Sequence, residues 1–378
     1  MVSKRNDLLE TVRLLNHETP YFFTSKKILK ENYENYTGLF DNSEIYYALK
    51  ANSDPKILTY LDSLGCGFEA ASGYEIKMLV DVGVDPKKII YGTSIKPPKH
   101  IKWAHKWGID RFAADSKEEI EKIAKYAPGA QVYIRTIVDD TGSVFMMSVR
   151  FGAPANTVKS LMLYARTLGL KLYGISFYVG SQAAHANMWA KGIHTVRPII
   201  EQLADEDITL KALNIGGGFP VLYTNHRTVP ELYEIVANTH NALHMLPYIP
   251  KLIMEPGRGI VATSTVLVGE VIARNNRANR PWLCLDAGIY NALYEAMIHQ
   301  GATGYIVRPY DPPEGRAKMM TCTIAGPTGD SLDIITHRAK LPASIDVGDK
   351  LIFENAGAYT LALAGPFNGF PTPPLYIS

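Results

Sequence analysis

The sequence predicts a closed (β/α)₈ barrel of the TIM type, followed by a smaller, mainly antiparallel β-domain. In the first two-thirds of the 378 residues, short apolar runs rich in β-branched and aromatic residues alternate with amphipathic stretches. This alternation is typical of a parallel sheet covered by helices. Eight such runs occur, the number that closes a barrel, and this count argues against an open doubly wound sheet. After about residue 262 the amphipathic stretches become rare, and Gly, Pro, Asn and Asp turns separate the apolar runs.

The barrel elements follow one another in a regular order along the chain. Helix ends are marked by the N-cap pair Asp54–Pro55, by the capping boxes Ser72–Glu75 and Ser116–Glu119, and by Gly83 at a helix C-terminus. The eight apolar runs place the barrel strands at Glu44–Lys50, Gly67–Ala71, Ile89–Ser94, Arg111–Ala114, Gln131–Val138, Leu172–Val179, Leu210–Ile215 and Lys251–Glu255.

The last third of the chain reads as strands, with one predicted helix at Asn291–His299. Near the other end, ETPYFF at residues 18–23 precedes the first barrel unit and could supply one strand of this second, β-rich domain. We assign residues 24–262 to the barrel, and residues 1–23 and 263–378 to the β-domain. The predicted β-domain strands lie in TVLVGEVIARN, RPWLCLDAG, MMTCTIAGP, LDIITHRAKLP and DKLIFENAGAYT.

Composition excludes several classes of partner. Lys and Arg number 39 against 37 Asp and Glu, so no strong field favours nucleic acid or a membrane surface. The first 20 residues contain no apolar core for a signal peptide, and no run of about 18 apolar residues predicts a membrane span. Cys66, Cys284 and Cys322 are far apart and form no CxxC pair, so we expect a reducing, cytoplasmic location. We find no HExxH or comparable ligand spacing among the ten histidines, and we expect no bound metal.

Charged, polar and glycine-rich segments that could bind a ligand or act in catalysis follow the predicted strands. In a barrel of this kind the C-terminal strand ends form the site. Here these ends carry Lys50, Glu69, Arg135, YVGSQ (178–182), GGGFP (216–220) and EPGR (255–258).

Each of these residues has a structural and a functional interpretation. Lys50 could extend its amine to water past an apolar stem, or could be a nucleophilic amine in a partly dry pocket that forms a Schiff base. The three glycines at 216–218 could make a tight turn, or could present backbone N–H groups to a phosphate, with Ser181 and Arg258 adding a hydroxyl and a charge. Glu255 needs a partner, either Arg258 or a protonated pyridine nitrogen. Amine, phosphate cradle and carboxylate together describe a pyridoxal 5′-phosphate (PLP) site.

The sequence resembles the fold-type III PLP-dependent decarboxylases, the group that includes ornithine, lysine, arginine and diaminopimelate decarboxylases. The resemblance runs from about Thr19 to Pro374. It implies an alanine racemase-like fold and a small-molecule amino-acid substrate. It also implies a homodimer in which each chain completes the other's site. The blocks that carry it are YYALKANSDPKIL, GFEAAS, SVRFG, LNIGGGFP, EPGR, GPTGDSLD and ENAGAYTLALAGPFNGF.

The resemblance also implies residue roles. Lys50 would form the Schiff base with Glu69 beside it, Tyr178 would face the cofactor ring, and Asp330 would reach the substrate's distal group from the neighbouring chain. The implied cofactor-binding residues are Lys50, Arg135, Tyr178, Ser181, Gly217, Gly218, Glu255, Gly257, Arg258 and Tyr359. The implied substrate-binding residues are Tyr290, Glu295, His299, Asp330 and Phe367.

Three departures from the family pattern bear on chemistry. The family usually has a histidine stacked on the cofactor ring, and Tyr178 stands at that position. A tyrosine can still stack on the ring, but it lacks a group that titrates near neutrality. The family has a cysteine at the dimer interface, which protonates the carbanion after decarboxylation. In this sequence Gly329 stands at that position. In the short helix that meets the distal amine of ornithine, Ile298 and His299 stand near the usual acidic position, and Glu295 is the acidic residue of the stretch.

We therefore expect decarboxylation of a basic or modified basic amino acid with an altered protonation step. Water or Tyr178 would supply the proton, or decarboxylation-dependent transamination would yield an aldehyde. Two alternatives remain open. An amino-acid racemase shares the fold but needs two bases on opposite faces of Cα. A non-catalytic protein similar to the antizyme inhibitors would fit the two replaced residues, but not the retained Lys50, glycines and Glu255.

Overall fold

The computed structural model describes residues 2–148, 150–224, 228–298 and 304–378. The chain divides into two compact units. One, the barrel unit, contains Tyr33–Pro220 and Thr228–Gly257. The other, the β-unit, contains Met1–Asn32, Val221–Arg227 and Arg258–Ser378. Among the described residues, no helix combines the length and the apolar character needed to cross a bilayer.

The strands, in chain order, are β1 Tyr21–Thr24, β2 Ser43–Ala48, β3 Gly67–Ala70, β4 Ile89–Tyr91, β5 Arg111–Ala114, β6 Gln131–Arg135, β7 Ser143–Phe145, β8 Lys171–Ser176, β9 Ser181–Ala183, β10 Ala212–Asn214, β11 Lys251–Met254, β12 Thr265–Arg277, β13 Arg280–Leu285, β14 Ile306–Pro309, β15 Met319–Ala325, β16 Ile334–Pro342, β17 Lys350–Glu354 and β18 Leu375–Ile377. The α-helices are α1 Val2–Arg13, α2 Lys26–Glu34, α3 Pro55–Ser63, α4 Gly73–Asp81, α5 Pro98–Lys106, α6 Lys117–Tyr126, α7 Ala155–Thr167, α8 Met188–Ala204, α9 Leu232–Leu243 and α10 Arg258–Val261.

The barrel unit contains a closed parallel barrel in the order β10-β11-β2-β3-β4-β5-β6-β8. The eight predicted barrel strands are confirmed, although most end earlier than predicted. Pairing of Leu252 with Ser43 continues the ring from β11 to β2. The strands are buried on both faces, which explains why they read as continuous apolar runs in the sequence.

Large aromatic side chains fill the barrel interior. A buried cluster joins inward residues of seven strands: Tyr46, Ile90, Ala113, Tyr133, Tyr173, Ala212 and Ile253. Small residues make room for them. A Cβ at Gly67 would lie 2.8 Å from the Tyr46 ring, so only glycine fits there. The barrel is therefore a packed core that supports a site at its end.

The predicted helix caps are largely confirmed. Asp54 accepts a hydrogen bond from the Lys56 N–H at the start of α3, and Gly83 follows α4 with a φ of +87°. Ser72 and Ser116 accept hydrogen bonds from the backbone of Glu75 and Glu119 respectively. The glutamate of each predicted capping box does not bind the backbone N–H of its own N-cap serine in the way that a capping box requires. The Glu75 carboxylate accepts from the Ala71 N–H, and the Glu119 carboxylate binds lysines.

The β-unit contains a mostly antiparallel sheet in the order β14-β17-β12-β13-β15-β16. All five strand segments predicted after residue 262 are present. The suggestion that ETPYFF supplies a strand of the β-domain is confirmed. Its apolar residues enter β1, which pairs antiparallel with β12 and parallel with β18. Tyr21 and Phe23 pack with Leu8, Leu9 and Val12 of α1 into the core of this unit.

The helix predicted at Asn291–His299 is not observed over its described part. The described part contains instead the 3₁₀ turn Tyr294–Ala296. Tertiary contacts override the helical pattern here: Asn291 Oδ1 accepts from the Gly288 N–H, and Glu295 is held by a buried ion pair. His299 lies outside the described residues.

Candidate active site

Lys50 lies at the C-terminal end of the barrel, in a one-turn 3₁₀ helix that follows β2. The prediction that the strand continues to Lys50 is wrong, because β2 ends at Ala48. Leu49 and Ala51 are buried and fix the turn. The Lys50 side chain is 47 % exposed, and its Nζ lies 4.0 Å from Glu69 Oε2. The amine thus reaches the barrel mouth and faces a carboxylate, in a wetter setting than the partly dry pocket expected from the sequence.

Glu69 is an almost fully buried carboxylate in β3. Gly92 provides the space for it, because a Cβ at that position would lie 2.4 Å from Glu69 Oε1. Within the described parts of the chain, Glu69 Oε2 accepts no hydrogen bond. A buried carboxylate oxygen without a donor is costly unless a partner is supplied. A bound ligand that donated a hydrogen bond to this oxygen would therefore stabilise the buried carboxylate.

Glu255 follows β11 directly and is anchored by Asn214. The Asn214 amide donates to Glu255 Oε1 over 2.6 Å, while its own Oδ1 accepts from the Gly216 N–H. Burial raises the pKa of Glu255 from 4.5 to about 7, and the negative charge of Glu69 acts in the same direction. The Asn214 hydrogen bond and the positive charges of Lys50 and Arg135 oppose this shift. A cation beside Glu255 would favour its ionised form.

The glycine loop that follows β10 is required by close backbone packing. A Cβ at Gly217 would lie 2.4 Å from the Glu255 carbonyl oxygen, and one at Gly218 would lie 2.4 Å from the Gly180 carbonyl oxygen. Gly216 has a φ of +67° and would bring a Cβ within 2.6 Å of the Phe177 carbonyl oxygen. The loop thus brings together three strand ends, and the tight-turn interpretation holds whether or not the loop also binds a phosphate.

Tyr178 lies close to two cations at the barrel mouth. The ring centroid is 5.5 Å from Lys50 Nζ and 5.7 Å from the Arg135 guanidinium carbon. Arg135 ends β6 and also approaches the Phe151 ring at 5.4 Å. Ser181 begins β9, next in the chain to Gly180. These cation–π contacts keep an aromatic face beside the lysine amine.

Sequence reasoning missed two residues of this mouth. Glu75 was assigned to a capping box alone, yet burial and the Glu69 charge raise its pKa to about 7, and the Lys50 charge opposes this. Asn214, which orients Glu255, was not singled out. Its position directly before the glycine loop is the signal that could have drawn attention to it.

A second group of predicted residues meets within the β-unit around Arg258. This guanidinium is buried and makes a bidentate ion pair with Glu295, at 2.7 Å for each bond. Arg258 also donates to the Tyr223 hydroxyl at 3.2 Å and lies 4.6 Å from the Tyr359 ring centroid. Glu295, which we had considered as a substrate contact, is therefore the direct partner of Arg258. Gly257 precedes it as the last residue of the barrel unit.

Asp330, Tyr290 and Phe367 form a third group, also within the β-unit. The Tyr290 hydroxyl donates to Asp330 Oδ2 over 3.1 Å, and the Leu332 N–H donates to Oδ1. The Tyr290 and Phe367 ring centroids are 4.4 Å apart. Gly329, beside Asp330, is exposed, and a Cβ there would meet only Asn368 Oδ1, at 4.0 Å. The loop thus presents a carboxylate and has room for a side chain at Gly329.

Comparison with known proteins identifies the class. Residues 26–262 match the family described as "Pyridoxal-dependent decarboxylase, pyridoxal binding domain". The lysine/ornithine decarboxylase of Selenomonas ruminantium is 31 % identical over 95 % of this chain and 89 % of its own length. Antizyme inhibitor 2 of Xenopus laevis is 32 % identical over 88 % of this chain and 75 % of its own length. A crystal structure of SrLDC in complex with PLP and cadaverine has a TM-score of 0.87 at 30 % identity, covering 98 % of this chain and 92 % of that one.

These similarities define a PLP-binding barrel enzyme with the alanine racemase-like fold. The chain belongs to the pyridoxal-dependent decarboxylase family and is a PLP-dependent amino-acid decarboxylase. The barrel mouth fits the cofactor on its own chemistry. It offers an amine, a buried Glu69 oxygen without a hydrogen-bond donor among the described residues, and a second carboxylate, Glu255, whose pKa burial raises to about 7.

Proposed function

We propose that the chain decarboxylates a basic or modified basic amino acid, similar to ornithine or lysine, with a protonation step that differs from the family pattern. The observation that carries the substrate class is the Asp330 carboxylate, held by Tyr290 and by the Leu332 N–H in an accessible loop. Such a carboxylate suits a distal ammonium group. The cadaverine bound to SrLDC, a diamine, supports the same class of substrate.

The barrel residues would hold the cofactor in the following way. Lys50 would hold it by its amine, Glu255 would accept a hydrogen bond from the ring nitrogen, and Tyr178 would pack against the ring. When bound, PLP withdraws electrons from the substrate's Cα, the chemistry that allows the carboxylate to leave as carbon dioxide. Glu69 would place its carboxyl group beside the Lys50 amine, 4.0 Å away. Arg135, Ser181, Gly217, Gly218, Gly257, Arg258 and Tyr359 are the remaining proposed cofactor contacts.

The ion pair of Arg258 bears on its proposed role at the phosphate. Both terminal nitrogens of the guanidinium bind Glu295. An arginine that bound both groups would need N–H groups outside this ion pair or a rearrangement. We therefore propose that Glu295 orients Arg258 as well as lying near the substrate, while Tyr290, Phe367 and Asp330 line the distal end. In this proposal the chain forms a homodimer, and Asp330 acts in the site of the neighbouring chain.

Gly329 decides the outcome after carbon dioxide leaves. The family's cysteine at this place returns a proton to the substrate's α-carbon, and glycine has no acidic group. Water or the Tyr178 hydroxyl then supplies that proton, and the product is an amine. Without a positioned proton donor, the alternative products would be an aldehyde and pyridoxamine phosphate, with water supplying the aldehyde oxygen. This second outcome is decarboxylation-dependent transamination.

Single-turnover product analysis tests both parts of the proposal. The PLP-loaded protein is mixed with a panel of basic amino acids, and carbon dioxide, amine, aldehyde and pyridoxamine phosphate are measured separately. Gly329→Cys fits the loop without a clash and should shift the products toward the amine, whereas Gly329→Ser, of similar size without a thiol, should shift them less. Clean amine formation by the unmodified protein would refute the transamination outcome. No carbon dioxide from any basic amino acid would refute the substrate class.

A non-catalytic binding protein is the second candidate, favoured by the similarity to antizyme inhibitor 2 and by the two replaced residues, Tyr178 and Gly329. The two candidates differ in colour. A yellow protein whose visible absorbance disappears on borohydride reduction carries a lysine-bound cofactor. A preparation that stays colourless with added PLP would favour the binding protein.

A further inference from the structure

A histidine pair lies on the last turn of α9, on the surface of the barrel unit. His240 and His244 are one helical turn apart, and both are exposed. Their Nε2 atoms are 3.2 Å apart, with ring centroids at 4.3 Å and planes inclined by 70°. We propose that this pair binds one divalent transition-metal ion, such as Zn²⁺ or Cu²⁺, through the two Nε2 atoms.

The separation of the two nitrogens suits a shared metal. Zinc binds imidazole nitrogen at about 2.0–2.1 Å in tetrahedral geometry, which separates two such ligands by roughly 3.3 Å. The alternative is a hydrogen bond in which one ring donates to the other, which requires opposite tautomers and places 3.2 Å at the long end of the normal range. A metal uses both lone pairs without that constraint. The pair already has the separation that chelation needs.

The position of the pair at the end of α9 is a second, independent feature. His244 is the C-cap of the helix, and its N–H binds the His240 carbonyl. The last carbonyl groups of a helix carry partial negative charge, which stabilises a nearby cation. His240 also borders an open groove of about 610 Å³, lined in part by Asn241 and Glu231. Water or a small anionic ligand entering this groove can complete the coordination sphere.

The spacing H-x₃-H is visible in the sequence as HNALH at residues 240–244. The expectation of no bound metal overlooked this pair, whose two histidines have the same i, i+4 spacing as those of HExxH. Among the described residues, no group of three or more His, Cys, Asp or Glu side chains converges in this way. Two protein ligands with open positions define an exchangeable site rather than a structural one. The Irving–Williams order predicts tighter binding of Cu²⁺ than of Zn²⁺.

The site is remote from the barrel mouth. Helix α9 connects β10 to β11, and helices in this architecture run antiparallel to the strands. Its C-terminal end therefore lies at the N-terminal ends of the strands, on the side opposite Lys50. Metal bound here should stabilise the fold by linkage without entering the decarboxylase site.

Metal binding to the untagged, PLP-loaded protein tests the proposal. After chelator treatment and dialysis, the protein is titrated with ZnCl₂ and with CuCl₂ by calorimetry, and its melting temperature is measured with and without metal. We expect one equivalent of metal to bind and to raise the melting temperature. His240→Gln and His244→Gln should each weaken binding by about tenfold or more, the scale of loss typical when support for a metal site is removed.

His105→Gln is the matched control, because His105 is also exposed at the end of a helix and lacks a histidine one turn away. This variant should bind metal as the unmodified protein does. Carbon dioxide release should be the same in all three variants. Failure of the unmodified protein to bind either metal, or undiminished binding in the His240→Gln and His244→Gln variants, would overturn the proposal.

Discussion

Replacement of Glu255 by glutamine should stabilise the cofactor-free protein at alkaline pH. The folded protein raises the pKa of this carboxyl from 4.5 to about 7, mainly by burial. Above pH 7 the fold therefore holds a charge that the unfolded chain accommodates more easily. Glutamine keeps the carbonyl oxygen that accepts the Asn214 hydrogen bond but carries no charge. The substitution removes the cost of ionisation and preserves the contact.

The size of the effect follows from the shift. One pKa unit corresponds to 1.36 kcal/mol, so the full shift would be worth about 3 kcal/mol, and partial exposure of the side chain lowers this to roughly 1–3 kcal/mol. Because the folded pKa is raised, the folded protein binds more protons than the unfolded chain between pH 4.5 and about 7. The free energy of unfolding of the unmodified protein thus falls as pH rises through this window. Above the window the full destabilisation by the ionised Glu255 is present.

Urea unfolding of the cofactor-free protein at pH 5 and pH 8 measures the difference. Glu255→Gln should be more stable than the unmodified protein at pH 8, with little difference at pH 5. Glu10→Gln, an exposed residue of α1, serves as the control and should show no such pH-dependent gain. In the PLP-bound protein the sign should reverse, because the ionised carboxylate then has a cationic partner. A pH-independent difference, or lower stability of the variant at pH 8 without cofactor, would refute the reasoning.

Two further substitutions test parts of the barrel. Gly217→Ala places a Cβ 2.4 Å from the Glu255 carbonyl oxygen and should destabilise the fold by several kcal/mol, whereas Gly365→Ala, with open space around its Cβ position, should be nearly neutral. Equal melting temperatures for these two variants would contradict the packing argument. Lys96 is completely buried, donates to the carbonyl oxygens of Thr93 and Ala113, and lies 3.1 Å from Glu119 Oε1. Lys96→Met should lower the free energy of unfolding by about 3–5 kcal/mol, because the buried Glu119 carboxylate then has one fewer cationic partner. The loss should be smaller in the double variant that also carries Glu119→Leu. If the protein with Lys96→Met alone were as stable as the unmodified protein, this account would be contradicted.

The barrel could be predicted from sequence because its strands are buried on both faces and therefore read as continuous apolar runs. The helix caps at Asp54, Ser72 and Ser116 could be predicted for a similar reason, since each depends on a contact within a few residues. The end of β2 could not. Nothing in the run IYYALK distinguishes a strand that ends at Ala48 from one that continues to Lys50, because the turn is fixed by burial of Leu49 and Ala51.

Long-range contacts account for the rest of what the sequence could not reveal. The sequence assigns β1 to the β-domain, but its pairing with β12 and β18, more than 200 residues away, could not be predicted. Glu295 lies in a stretch with helical periodicity, yet its bidentate pairing with Arg258 accompanies a 3₁₀ turn. Glu75 fits a capping box so well that its second environment, beside Glu69 and Lys50, could not be recognised without the barrel's closed arrangement.

The central claim is that Lys50 carries the cofactor. Borohydride reduction of the PLP-loaded protein, followed by proteolysis and mass spectrometry, tests it most directly, because the reduced linkage survives digestion. We predict a phosphopyridoxyl group on the peptide that contains Lys50, and its loss in Lys50→Ala with no transfer to another lysine. Modification of a different lysine, such as Lys96, or retention of the label in Lys50→Ala, would contradict the account.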